Sequence, residues 1–222
     1  MVVLQTLEGY FRSHPPNRER IAQIQQLIAS EHWPTNQQQK PLAVAYLLVT
    51  DEAARYLASD QLDKAMATAR KALAAKPGYP PALKIVGDVD FEKADFAGAS
   101  AMYGQSLRLD PKRAHLTTRY ATALSASLPA QQALAQYSEL ANDAPALRDA
   151  PWFAVEEAGL KLMTGDVTVV KALAQQLTKA ENADAPLSQG RLGSWYYRFG
   201  DPQSAADLIG LSVEQLPQVK WL

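Results

Sequence analysis

The residues best able to do chemistry are the three histidines, His14, His32 and His115, and the adjacent carboxylates Glu156 and Glu157. A metal site needs several imidazoles or carboxylates to converge, and each histidine falls on a different predicted segment. Neighbouring residues of a helix point about 100° apart, so Glu156 and Glu157 do not share a site and read as a solvated helix face. Asp149 and the Asp88/Asp90 pair read the same way. With no cysteine in 222 residues, disulfides, thiolate nucleophiles and cysteine-zinc sites are excluded. The chain also contains no Gly-x-x-x-x-Gly-Lys phosphate loop, no Gly-x-Gly-x-x-Gly, no His-Glu-x-x-His and no Gly-x-Ser-x-Gly. The expectation is a non-enzyme with no catalytic residues, no metal and no cofactor.

Charge and hydropathy narrow the partners. Lys and Arg number 22 against 23 Asp and Glu, a net charge of -1, so the basic excess that phosphate neutralisation requires is missing and no nucleic acid is expected. The longest apolar stretch, Leu42 to Val49, is far short of the roughly 20 residues of a membrane helix, so no direct membrane insertion is expected. Residues 1–9 lack the basic start and long apolar run of a signal peptide. The missing cysteines suit cytoplasm and periplasm equally, so localisation stays open between them. A composition 47% apolar and 20% charged is that of a foldable chain, and its Ala, Leu, Gln, Lys and Arg favour helix.

The elements that must carry these residues are announced by a repeat. Pro77, Pro111 and Pro145 stand 34 residues apart, and so do Ala65, Ala99 and Ala133. The same step links the small residues Ala53, Gly87 and Ala121, and links Ala69, Tyr103 and Tyr137. These residues resemble the tetratricopeptide repeat (TPR) family, with a small residue at the eighth position, Ala at the twentieth, an aromatic at the twenty-fourth and Pro at the thirty-second. Asp90 departs from the pattern at the eleventh position, where Tyr56 keeps it. The family's small positions let two antiparallel helices approach closely, and each pair must stack on its neighbours to bury its faces.

The resemblance implies an all-α, right-handed α-solenoid of stacked antiparallel helix pairs, about 12 helices. Its repeats run over 46–79, 80–113, 114–147, 151–184 and 186–219, within an array of 39–222. The fourth pair is expected to place its helices at 152–163 and 167–180 around a turn at Thr164-Gly165-Asp166. Residues 1–38 read as a helix pair broken at His14-Pro15-Pro16, a degenerate repeat or cap, joined to the array by the polar 35–40. Asp60, Asp95, Asp166 and Asp201 are expected to cap second helices, the last followed by Pro202 at the first helical position. Tyr56, Tyr103, Tyr137, Tyr196 and Trp195 are expected to pack between helices.

In the family, the first helix of each pair lines a concave groove. Mapped onto this chain, the groove takes Lys84, Asp88, Phe91, Glu92, His115, Thr118, Arg119, Thr122, Trp152, Arg191, Ser194, Tyr197 and Arg198. That mixed lining suits an extended or helical peptide with apolar anchors. The family's carboxylate clamp uses Lys and Asn at the fifth and ninth positions of the first repeat; Thr50 and Ala54 stand there instead, which argues against that use. The resemblance thus implies a scaffold or adaptor for protein partners, of a kind common in bacterial envelope machinery. The alternatives are a self-associating module, motivated by the apolar end at Val219-Lys-Trp221-Leu222 and giving a homo-oligomer through that end, or a non-catalytic domain of a larger polysaccharide-export or secretion protein.

Overall fold

The structure is a computed structural model that describes residues 17–31, 44–179 and 185–216. The chain divides into two compact units, 1–42 and 43–222. In the first, one helix is described, α1 (Asn17–Ser30). The expected break at His14-Pro15-Pro16, the linker 35–40, Pro217 and the end 219–222 lie outside the described residues, as do His14 and His32.

The second unit is five helix pairs and, among the described residues, contains no strand. They are α2 (Ala45–Ala58) with α3 (Leu62–Ala75), α4 (Pro80–Glu92) with α5 (Phe96–Leu109), and α6 (Thr117–Ser127) with α7 (Ala130–Asp143). Then follow α8 (Pro151–Met163) with α9 (Thr168–Thr178) and α10 (Ala185–Phe199) with α11 (Pro202–Gln215). Short 3-10 turns, Pro111–Leu116 and Pro145–Asp149, lead into the third and fourth pairs. Proline, lacking an N–H and fixed in φ, both stops one pair and starts the next.

Burial explains why a 34-residue step in sequence becomes a helix pair in space. The twentieth position (Ala65, Ala99, Ala133, Val170, Ala205) is no more than 3% exposed in any repeat. The eighth position is buried in all five as Ala53, Gly87, Ala121, Ala158 and Gly193. The eighth position meets the second helix of its own pair, Gly87 against Met102 and Tyr103 and Gly193 against Leu208 and Ile209, where bulk would hold the helices apart. A Cβ at Gly87 would stand 2.7 Å from the Tyr103 ring, so only glycine admits that ring. The aromatic residues expected to pack between helices do so at Tyr103, Tyr137, Tyr196 and Trp195, all at or below 1% exposed. Tyr56 departs from this expectation: half-buried, it donates its hydroxyl to Glu52 Oε1 at 3.1 Å.

The turn inside a pair is itself repeated. Residues Asp60, Ala94 and Gly165 share the fifteenth position and all have positive φ, 57°, 60° and 82°. In each turn the next residue donates back across six residues, Gln61 to Tyr56 O, Asp95 to Asp90 O and Asp166 to Lys161 O, at 2.9, 2.8 and 3.1 Å. That bond with its inner companion (Asp60 to Leu57 O, Ala94 to Phe91 O, Gly165 to Leu162 O) makes a Schellman close. Two expected caps are therefore wrong. Asp60 is the left-handed residue that ends α2, and Val167 rather than Asp166 precedes α9, neither α3 nor α9 receiving a side-chain cap. Asp95 and Asp201 do cap, accepting from Gly98 N at 3.0 Å and Ser204 N at 2.8 Å.

First helices lie beside first helices (α2 on α4, α6 on α8, α8 on α10) and second beside second (α5 on α7, α9 on α11). In the third and fourth pairs the partner helices touch over a shorter stretch. There Tyr120 and Tyr137 stack at 5.9 Å within the third pair, and Tyr137 stacks on Phe153 of the fourth at 4.5 Å. Burying each such ring contributes about 1.5–3 kcal/mol.

Candidate functional site: the face of the first helices

Each half of this face is organised around a buried carboxylate. In the amino-terminal half it is Asp88 on α4, 3% exposed. Tyr103 of α5 donates its hydroxyl to Asp88 Oδ1 at 2.8 Å, and Lys84, one turn earlier on α4, donates to Oδ2. Arg119 on α6 brings its guanidinium 3.6 Å from both Asp88 and Glu92, ion-pair separations without a hydrogen bond. It also lies over the Phe91 ring, 5.2 Å from the centroid. Burial, reinforced by the Asp88 charge, pushes the Tyr103 hydroxyl well above its ordinary pKa.

In the carboxy-terminal half the carboxylate is Glu156 on α8, fully buried. Arg191 on α10 grips it with two bonds, Nε to Oε1 at 2.7 Å and Nη2 to Oε2 at 2.9 Å, and Trp195 Nε1 donates to Oε2 at 2.9 Å. The bidentate fork is the strong geometry for an arginine and a carboxylate. Arg191 Nη2 continues to Thr122 Oγ1 on α6 at 2.8 Å, so one side chain ties three successive first helices. The Trp195 indole lies where a Cβ on Gly159 of α8 would be, which makes glycine obligatory there.

Beyond this buried group stands Arg198, two turns along α10 from Arg191. Its guanidinium stacks over Trp195 at 5.3 Å and Phe199 at 4.7 Å and reaches Ser125 Oγ of α6 at 3.5 Å. Burial and the neighbouring Arg191 charge lower its pKa from the ordinary arginine value, partly offset by Glu156.

The groove residues expected from sequence thus divide. Lys84, Asp88, Phe91, Glu92 and Arg119 come together in one group, and Thr122, Arg191 and Arg198 in the other. Asp88 lies beneath the surface, and Arg191 has only 18% of its side chain exposed. Trp152, Thr118 and Ser194 are half-buried, while His115 and Tyr197 are exposed. The solvated reading of Glu156 and Asp88 is overturned, because both are interior groups held by cations and ring donors; Asp90 is half-buried, and only Asp149 stays exposed. Three participants were missed, Glu156, Ser125 and Phe199. A signal for Glu156 was available: it and Arg191 occupy the sixth position of successive repeats, which side-by-side first helices bring into register. Among the described residues no group of three or more His, Asp or Glu is arranged to hold a metal ion, and no helix is long and apolar enough to cross a membrane.

No family model and no curated protein sequence matches the chain. Solved structures do. TTC0263, a thermophilic TPR protein in Thermus thermophilus, superposes with a TM-score of 0.55 at 16% identity, over 78% of this chain and 92% of that one. YrrB, described as a TPR protein with an unusual peptide-binding site, gives 0.48 at 16% identity over 79% and 94%. At such identity the likeness to TTC0263 speaks to the fold alone, and it agrees with the repeat columns read from the residues. By fold, this chain is a tetratricopeptide-type helical-repeat protein.

Proposed function

We propose that this protein is a non-catalytic scaffold or adaptor that holds a segment of a protein partner against the face formed by its first helices, within a bacterial, envelope-associated assembly. The observation carrying this reading is the Arg191 tie across α6, α8 and α10. A face fixed by a buried carboxylate and a guanidinium fork is pre-organised, so little conformational freedom is lost when a partner docks. Its rim supplies what protein interfaces favour, exposed Tyr197 and Phe199 and an accessible arginine. The two buried carboxylates of the face are each held by a cation and a ring donor. The bacterial, envelope-associated setting rests on the sequence resemblance alone.

Crosslinking in native cells followed by mass spectrometry tests this reading. Crosslinked sites should concentrate on α4, α6, α8 and α10. Sites confined to the second helices α5, α7 and α11 would contradict it.

A further inference from the structure

We infer that the Arg198 end of α10 docks an acidic partner segment, one that sets a carboxylate side chain beside an apolar one. The inference rests on the binding reading above and specifies its partner. On α6, α8 and α10 the carboxylates are already committed: both oxygens of Glu156 are taken by Arg191 and Trp195, and Glu157 lies 3.6 Å from Lys161. Arg198 is left with a hydroxyl at 3.5 Å, beside a second guanidinium. In the other half Arg119 has two carboxylates at 3.6 Å. Arg119 and Arg191 share the sixth position of their repeats and both have carboxylates within ion-pair reach, whereas Arg198, at the thirteenth, has none among the described residues.

Geometry fits a carboxylate at this spot. Stacking on Trp195 and Phe199 holds the guanidinium plane, so its N–H fork is set before a ligand arrives. Ser125 Oγ accepts from the guanidinium while giving its own proton to Thr122 O, so it steadies the arginine without neutralising it. Phe199, 37% exposed, and Tyr197, 70% exposed, flank the arginine on the helix and offer apolar contact on either side. Such a spot selects an acidic residue next to a hydrophobic one and rejects a basic segment.

The experiment uses the full chain and three pools of synthetic 12-residue peptides, capped at both ends. Each pool alternates apolar residues with Glu, with Gln or with Lys; a fourth carries phosphoserine. Binding is followed by fluorescence anisotropy at low salt. The Glu pool should bind at least tenfold more tightly than the Gln pool, and the Lys pool least. Arg198→Glu should reverse the order of the Glu and Lys pools. Ser125→Asp should weaken the Glu pool several-fold while raising the melting temperature, because it gives Arg198 a counter-charge within the chain. Equal affinity for the Glu and Gln pools, an unchanged order in Arg198→Glu, or preference for phosphoserine over Glu would each overturn the inference. If cellular crosslinks to α8 and α10 persist in Arg198→Glu, this inference fails and the binding reading stands; if wild type gives none on the first helices, the reading itself fails.

Discussion

The two halves of the first-helix face solve one problem in different ways. Each buries a carboxylate where adjacent pairs meet, but Asp88 is served by partners that can still reach water and Glu156 is not. Lys84 and Arg119 keep 33% and 43% of their side chains exposed, whereas Arg191 keeps 18% and Trp195 is 1% exposed. A buried ion pair costs desolvation that only good geometry offsets, and its removal is damaging when the surviving partner cannot turn to solvent. The amino-terminal half is therefore adjustable, the carboxy-terminal half a fixed platform.

The sharpest way to break this contrast is to remove each carboxylate. Glu156→Leu should cost about 3 kcal/mol in denaturant unfolding, since the Arg191 fork and the Trp195 N–H both lose their acceptor. Asp88→Leu should cost about 1–2 kcal/mol, because only the Tyr103 hydroxyl is stranded. Adding Arg191→Met to Glu156→Leu should restore most of the loss; equal costs at the two sites would refute the distinction. Gly159→Ala should cost about 2 kcal/mol by driving the Trp195 indole off α8, with Trp fluorescence reporting the displacement.

High pH tests the burial of the rings. Burial pushes Tyr120 up to about 12 and holds Tyr103 and Tyr137 well above their ordinary value, with Glu156 adding to the effect on Tyr137. The folded state thus keeps protons that the unfolded chain releases near pH 10. Stability is full below that pH and falls as pH climbs through the folded values, by about 1 kcal/mol per tyrosine at pH 11. Absorbance at 295 nm during alkaline unfolding should show these rings ionising with the unfolding transition; ionisation in advance of it would contradict their burial. The smallest effect lies in the turns. Ala94→Gly should stabilise by about 0.5–1 kcal/mol, as a Cβ at φ 60° is strained.

What sequence made legible follows the repeat. Small residues at the eighth and twentieth positions mark where helices press closely, so the pairs and most of their cores could be read from a 34-residue step. The fourth pair, expected at 152–163 and 167–180, is found at 151–163 and 168–178. Caps at Asp60 and Asp166 misled because aspartate serves a left-handed helix end as well as an N-cap. The Glu156 group escaped notice for a physical reason: a Glu on a helix looks solvated until the neighbouring repeat lays an arginine across it. Reading the sixth position down successive repeats would have paired Glu156 with Arg191.

Hydrogen–deuterium exchange on the intact chain, with and without a partner identified by crosslinking, tests the central claim most directly. Bound partner should slow exchange in α6, α8 and α10 and leave α7, α9 and α11 unchanged. Protection confined to the second helices, with the first helices exchanging as in the free chain, would contradict it.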